Sequence, residues 1–173
     1  RAAPLDGVAR AIRYTTEAAR DAVARLASED AAALLEQALR LVDQDADGDE
    51  LARVELLTEL AEAIVYVDDT RGIEVAREAV QRARSAGLAA DLGRAVAAFA
   101  DQPQALLDHP GEVAALFDEA RVALGEDHPE LRARLLAFEA LYNDTACPFD
   151  WRFTRATLAE RLAHLAPLPA TLP

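Results

Sequence analysis

Apolar residues along this chain recur three and four positions apart, the spacing that gathers them onto one face of an α-helix. Val8, Ile12, Ala19, Val23 and Leu26 mark a first such stripe. Ser28 offers an N-cap hydroxyl ahead of a second, formed by Ala31, Leu34, Leu35, Ala38, Leu41 and Val42. The pattern predicts a tight helix pair over residues 5 to 43. After the polar stretch DQDADGDE, Leu51, Val54, Leu57, Ala61 and Ile64 form a third stripe. Thr70 is placed to cap a fourth, with Ile73, Ala76, Val80 and Ala83 inward, Arg82 and Arg84 in its last turns, and Gly87 just beyond. This predicts a second pair over 50 to 86.

The third pair is less regular. Leu92, Ala95, Val96 and Phe99 mark one helix and Val113, Leu116, Phe117, Ala120 and Leu124 another. Between them DQPQALLDHPG, with Pro103, Pro110 and Gly111, reads as a short broken turn. Pro129 sits at a first helical position ahead of Leu131, Leu135, Phe138 and Tyr142, and a run with Leu158, Leu162 and Leu165 completes a fourth pair. The terminal APLPATLP cannot continue that helix, because proline lacks the N–H and clashes with the preceding turn. The expected organisation is one helical repeat domain over 1–165 and a proline-rich tail or linker over 166–173.

Eight helices in sequential pairs fit either a closed bundle or an open stack, and small residues at the crossings favour the stack. Ala31, Leu35 and Ala38 in AAALLEQA are echoed by Ala76, Val80 and Ala83 in AREAVQRA: a small residue, a larger apolar one four on, and a small one three further. Small side chains let a neighbouring helix approach while the central residue fills the gap. The fold class expected is therefore all-α, a right-handed α-α superhelix of antiparallel helix pairs.

Composition sharpens this. Apolar residues make up 52% of the 173, but Ala and Leu dominate them and only nine residues are aromatic, a mixture suited to close helices rather than strands. With 18 Lys plus Arg against 31 Asp plus Glu, the net charge of -13 would repel a nucleic-acid backbone. No run approaches the roughly 18 apolar residues of a membrane span, and no basic leader precedes an apolar core. A cytoplasmic location is expected. Cys147 is alone, so no disulfide or thiolate cluster can form within the chain. The lack of Met even at the start, where Arg1 stands, reads as a fragment of a longer protein.

Candidate chemistry is sparse. Asp43, Asp45, Asp47 and Gly48 reproduce the first half of a calcium loop, with oxygen ligands at alternate positions and Gly at the sixth. The second half fails: Glu50 replaces the usual apolar residue, and Val54 stands where a bidentate Glu should close the shell, with Glu55 one residue out of register. The stretch reads as a solvated acidic turn in which Asp47 or Asp49 caps the next helix. His109, His128 and His164 are far apart, Cys147 has no paired base nearby, and Trp151 with Phe153 reads as an anchor for the last helix. Arg77, Arg82, Arg84 and Arg94 could face an acidic neighbour, but scattered helical arginines are ordinarily solvated. No catalytic, cofactor-binding or metal-ligating residue is assigned, and no cofactor is expected.

The phrases SEDAAALLEQALRLVD, ELLTELAEAI, GIEVAREAVQRARSAG and HPELRARLLAFEALY resemble the tetratricopeptide-like region of bacterial, especially actinobacterial, signal-transducing regulators. That family joins a nucleotide-binding switch domain to such repeats, often with a LuxR-type helix-turn-helix or a cyclase domain. In the tetratricopeptide pattern small residues of paired helices face each other; Ala19 with Ala31 and Ala61 with Ala76 match those roles, while the bulky aromatic early in the first helix is missing and the turn between Ile64 and Ala76 is longer than the pattern. The chain has no Gly-rich phosphate loop and no basic recognition helix. The resemblance implies a non-catalytic interaction or interdomain regulatory scaffold of a larger transcriptional or signalling regulator, contacting protein or flanking domains of the same polypeptide. The alternative is a small-molecule sensor whose ligand lies on the concave face.

Overall fold

The computed structural model of the chain describes residues 3–44, 49–65 and 67–145. These form eight α-helices and, among the described residues, no strand. They are α1 (Ala3–Ala24), α2 (Ser28–Gln44), α3 (Glu50–Ile64), α4 (Asp69–Ala86), α5 (Ala89–Ala100), α6 (Pro103–Asp108), α7 (Pro110–Leu124) and α8 (Pro129–Thr145). The chain divides into two compact units, Arg1–Ala140 and Leu141–Pro173. In the second, the described residues are the last five of α8.

Within the first unit each of the first five helices packs on its neighbour in sequence, and α5 reaches past the short α6 to pack on α7. The links between packed helices are short, so the chain must double back at each. A pair of ion pairs fixes the sense independently. Arg77 of α4 meets Glu112 of α7, and Arg84 meets Glu119, seven residues further along both helices. Opposed helices would match the later arginine with the earlier glutamate; α4 and α7 therefore run the same way.

Local chemistry sets the ends. Asp49 caps α3, its side chain accepting from the N–H groups of Leu51 and Ala52, and Asp68 caps α4 by accepting from Arg71. Capping had been expected from Thr70, but an Asp two residues earlier takes the role and leaves Thr70 inside the first turn. The expected turn before α4 shrinks with it, to residues 65–68. Ser28 is likewise the first helical residue of α2, and the bond from the Ala31 N–H to the Ala27 carbonyl puts the cap position at Ala27.

Two helix ends close in the same way with different residues. After α4, Gly87 adopts φ 68°, its N–H bonds to the Arg84 carbonyl and that of Leu88 reaches Ala83. This is the left-handed closure that glycine accepts without penalty. After α1 the same pattern recurs, the Ala27 N–H reaching the Ala22 carbonyl, with Leu26 in the left-handed position at φ 60°. Leu26 is 90% exposed and Val23 48%, so neither belongs to the apolar stripe expected of them. Leu51, on the first turn of α3, is also largely outside.

Most of the remaining stripe positions are buried, while Val8, Ile12, Leu34, Leu41, Leu131 and Phe138 are half-buried and the Tyr142 side chain lies outside what is described. Leu35 is 1% exposed, and the small residues Ala19, Ala31, Ala61 and Ala76 are fully enclosed. Two apolar clusters result. One gathers α1, α2 and the Leu56, Leu60, Ala63 and Ile64 side of α3. The other gathers Val54, Leu57 and Ala61 of α3 with α4 to α8. Leu39 and Val75 pack against both. The stretch 101–111 differs from the broken turn expected, since Pro103 serves as a first helical residue and opens α6. At α8, Leu135 is buried and Phe138 stacks on Phe117 with ring centroids 5.4 Å apart. The second helix of the fourth pair, Leu158 to Leu165, and the tail over 166–173 lie outside the described residues.

One polar side chain is sealed inside. Gln102, between α5 and α6, is fully buried, and its Nε2 donates to the carbonyls of Ala61 and Ala98, both at 3.1 Å. Its Oε1 has no hydrogen-bond partner. A Cβ built on Gly72 of α4 would overlap that oxygen. Glycine here thus serves close approach: it lets the amide lie against α4 while tying α5 to α3. In an open helical position Gly→Ala would stabilise by about 1 kcal/mol. Gly72→Ala is instead expected to destabilise by about 1–3 kcal/mol, because the amide can retreat only by giving up its two bonds. In a Gln102→Ala background the same change should revert to stabilising. Urea unfolding of the four proteins checks this; additive effects would show that the two residues do not touch.

Candidate functional site

Arginine and glutamate recur at matched distances along the first helices of the pairs. Arg20 of α1 lies 39 residues before Glu59 of α3, and Glu55 lies 39 before Arg94 of α5. The structure brings both couples together. Arg20 forks onto Glu59, with Nη2 2.6 Å from Oε1 and Nε 3.2 Å from Oε2. Arg94 Nη1 lies 3.8 Å from Glu55 and 3.5 Å from Asp91. The two couples link α1 to α3 and α3 to α5.

A hollow of about 410 Å³ opens between these helices. Ala19, Val23, Leu35 and Ala63 give it apolar walls, and Arg20, Glu59, Glu62 and Arg94 supply polar groups. Val23, left half outside by the helix packing, faces this space. Glu62 is the group whose charges are not matched: it has no hydrogen bond or ion pair among the described residues. Arg134 and Arg94 act on it only at a distance, and partial loss of hydration pushes its carboxyl above the ordinary range despite them. Although one side of Glu62 faces water, its carboxylate lies where neighbouring atoms displace part of its solvent shell. Asp101, 39 residues on from Glu62, is raised by the same cause, with Arg134 opposing.

A larger hollow, about 630 Å³, lies along α4 and is lined by Glu50, Glu74, Arg77, Glu78, Gln81, Arg82 and Ser85. None of its lining residues is apolar, and most of its charges already answer one another. Arg82 binds Glu50 at 3.0 Å and Glu78 at 2.8 Å; Arg77 binds Glu112 at 2.9 Å and lies 5.3 Å from the Phe99 ring. Arg84 Nη2 lies 2.6 Å from Glu119 Oε2. The arginine cluster noted in the sequence is thus spent on holding helices together rather than left as a basic patch. Accordingly Glu50, Glu112 and Glu119 are held below the ordinary carboxylate range, in each case chiefly by the arginine hydrogen bond.

The remaining sequence candidates fall elsewhere. Asp43 is bound by Arg53 at 2.8 Å, and Asp49 caps α3, while Asp45, Asp47 and Gly48 lie outside the described residues. His109 sits between α6 and α7 with Nδ1 3.9 Å from Glu112; His128 precedes α8. His164, Cys147, Trp151 and Phe153 lie outside the described residues. Among the described residues no group of three or more His, Cys, Asp or Glu is arranged to hold a metal ion, and no helix is long and apolar enough to cross a membrane. Glu62 was not singled out in the sequence, although its 39-residue spacing from Val23 and Asp101 was there to be read. No family model, curated protein or solved structure matches the chain.

The two kinds of glutamate should respond oppositely to pH. Glu112 has a lowered folded pKa, so its stabilisation is present above the unfolded value near pH 4.5 and is lost as pH falls through the folded one. Glu62 has a raised folded pKa; its protonated form suits the fold, and that advantage is lost as pH rises through it. At pH 7 Glu112→Gln should therefore lower stability and Glu62→Gln raise it, each by no more than about 1 kcal/mol given their exposure. The Glu62 difference should close once pH falls below the ordinary carboxylate range, and the Glu112 difference only at lower pH, below its own depressed value. Thermal melts across pH 3–8 check the signs.

Proposed function

We propose that the chain is a non-catalytic docking and regulatory module. In this reading it is a tetratricopeptide-like, right-handed superhelix of antiparallel pairs that contacts protein, or flanking domains of its own polypeptide, through α1, α3 and α5. The observation that carries it is the hollow on those first helices, where an exposed Val23 and apolar walls stand beside a carboxylate left without a partner. Apolar contact at the centre with charges around it is how small interfaces combine affinity with specificity. The second-helix side has its charges paired internally and offers less to read. The resemblance in SEDAAALLEQALRLVD and GIEVAREAVQRARSAG supports placing such a module in a bacterial transcriptional or signalling regulator of the cytoplasm.

A second reading, a small-molecule sensor, draws on the same hollow. At about 410 Å³ it falls within the size range of ligand sites, roughly 300–1,000 Å³. The two readings part on what occupies it.

Val23→Asp should leave the fold within about 0.5 kcal/mol of its stability, since the side chain is half outside, and should abolish capture of a specific protein partner by the immobilised chain. Val122→Asp, on an 82% exposed position of α7, should leave capture intact. Native mass spectrometry of the chain exposed to a small-molecule extract gives the other arm: retention of a compound by the unaltered chain and Val122→Asp, but not by Val23→Asp, would favour the sensor. Equal capture by all three proteins would remove the first-helix face from the reading.

A further inference from the structure

We infer that the hollow between α1, α3 and α5 receives a lysine or arginine side chain from a partner protein segment, with Glu62 as its counter-charge. This rests on the docking reading above and adds the chemistry of what docks.

The argument begins with how the carboxylates on this side are used. Glu59 is taken by Arg20, and Glu55 and Asp91 by Arg94. Glu62, a turn beyond Glu59 on α3, has no hydrogen bond or ion pair of its own. Glu62 faces water on one side, yet neighbouring atoms displace part of its hydration, a cost that an incoming cation would offset. The walls suit the rest of such a side chain. Lys and Arg carry three or four methylenes beneath the charge, and these lie against apolar surface while the head stays at the polar end. Val23 offers that surface, over a floor formed by the buried Ala19, Leu35 and Ala63, and Glu62 the polar end.

An acidic side chain fits poorly, because Arg20 and Arg94 are already neutralised and the chain as a whole carries a net charge of -13. An uncharged apolar side chain would fill the walls but bury Glu62 further without a partner. Long-range attraction works the same way: basic segments are drawn in and acidic ones turned aside before contact. The hollow of about 410 Å³ also has room for residues beside the basic one, as expected of a segment rather than a single amino acid.

The test uses the chain as it stands and an arrayed set of 12-residue peptides, identical except for Arg, Lys, Gln, Leu or Glu at one central position within varied flanks. Binding is read by fluorescence anisotropy for the unaltered chain, Glu62→Gln and Glu74→Gln. Both substitutions remove one negative charge, but Glu74 lies on α4 in the other hollow. Glu62→Gln is not expected to unfold the chain, since burial already disfavours its charged form.

The expected result is binders that prefer Arg or Lys at the central position, weakened about tenfold by Glu62→Gln and less than about twofold by Glu74→Gln. Equal weakening by the two would show attraction to net charge alone and overturn the proposal. So would binders without a basic preference, or no binder in the set. If non-basic peptides bind and lose binding on Val23→Asp, the docking surface stands and only the basic occupant falls. Retention of free arginine or lysine with equal dependence on Glu62, without peptide binding, would also overturn it in favour of a small cationic ligand.

Discussion

The structure depends on α3 being buried on two sides at once. Val54, Leu57 and Ala61 belong to the apolar cluster shared with α4 to α8, and Leu56, Leu60, Ala63 and Ile64 to the one shared with α1 and α2. A helix with a single apolar stripe would end the stack at itself; this one passes packing from one pair to the next. Its one buried hydroxyl, on Thr58, donates to the Val54 carbonyl within the helix and so asks nothing of either neighbour. Leu39 and Val75, touching both clusters, close the seam.

Charge follows the same nearest-neighbour logic. A chain with this excess of acid would repel itself unless its few cations were placed to bridge helices, and that is where they are: Arg20 to α3, Arg71 of α4 to Glu36 of α2, Arg77 and Arg84 to α7, Arg94 back to α3. Each pair is partly exposed and individually modest, about 0.2–1 kcal/mol. Their joint effect is register, since a shift of one helix by a single turn would part several couples together. In the hollow on the first helices, Glu62 is the carboxylate that no hydrogen bond or ion pair among the described residues answers, and partial loss of hydration raises its pKa.

Much of the helical pattern was legible because alternating small and large apolar residues at helical spacing leave few other solutions. Ala19, Leu35, Ala61, Ala76, Phe99 and Phe117 were all assigned inward and are buried. Where the reading slipped, a local competitor had won. Asp68 replaced Thr70 as a cap, Pro103 opened a helix instead of breaking one, Leu26 lies past the end of α1 in its left-handed closure, and Val23 faces the hollow. Periodicity marks a face without saying how far along it a neighbour extends. The candidate site was harder to see for a different reason. Whether a glutamate is paired depends on which arginines other helices have already claimed, and that is a property of the assembled stack. Asp43 shows the converse, a suggestive oxygen ligand in sequence that Arg53 occupies in the fold.

The contrast between Leu26 and Gly87 bears on the order in which the chain acquires structure. Both residues close a helix in the left-handed conformation, and only the leucine incurs the steric cost, about 1–2 kcal/mol for a residue with a Cβ. On backbone grounds alone the α4–α5 hairpin then closes more readily than α1–α2 by roughly five- to thirtyfold. Early order is thereby biased toward the middle of the stack, where α3 can add to a hairpin already formed. Of the two closures the leucine one is therefore the costlier, and it ends the helix that contributes Val23 and Arg20 to the hollow.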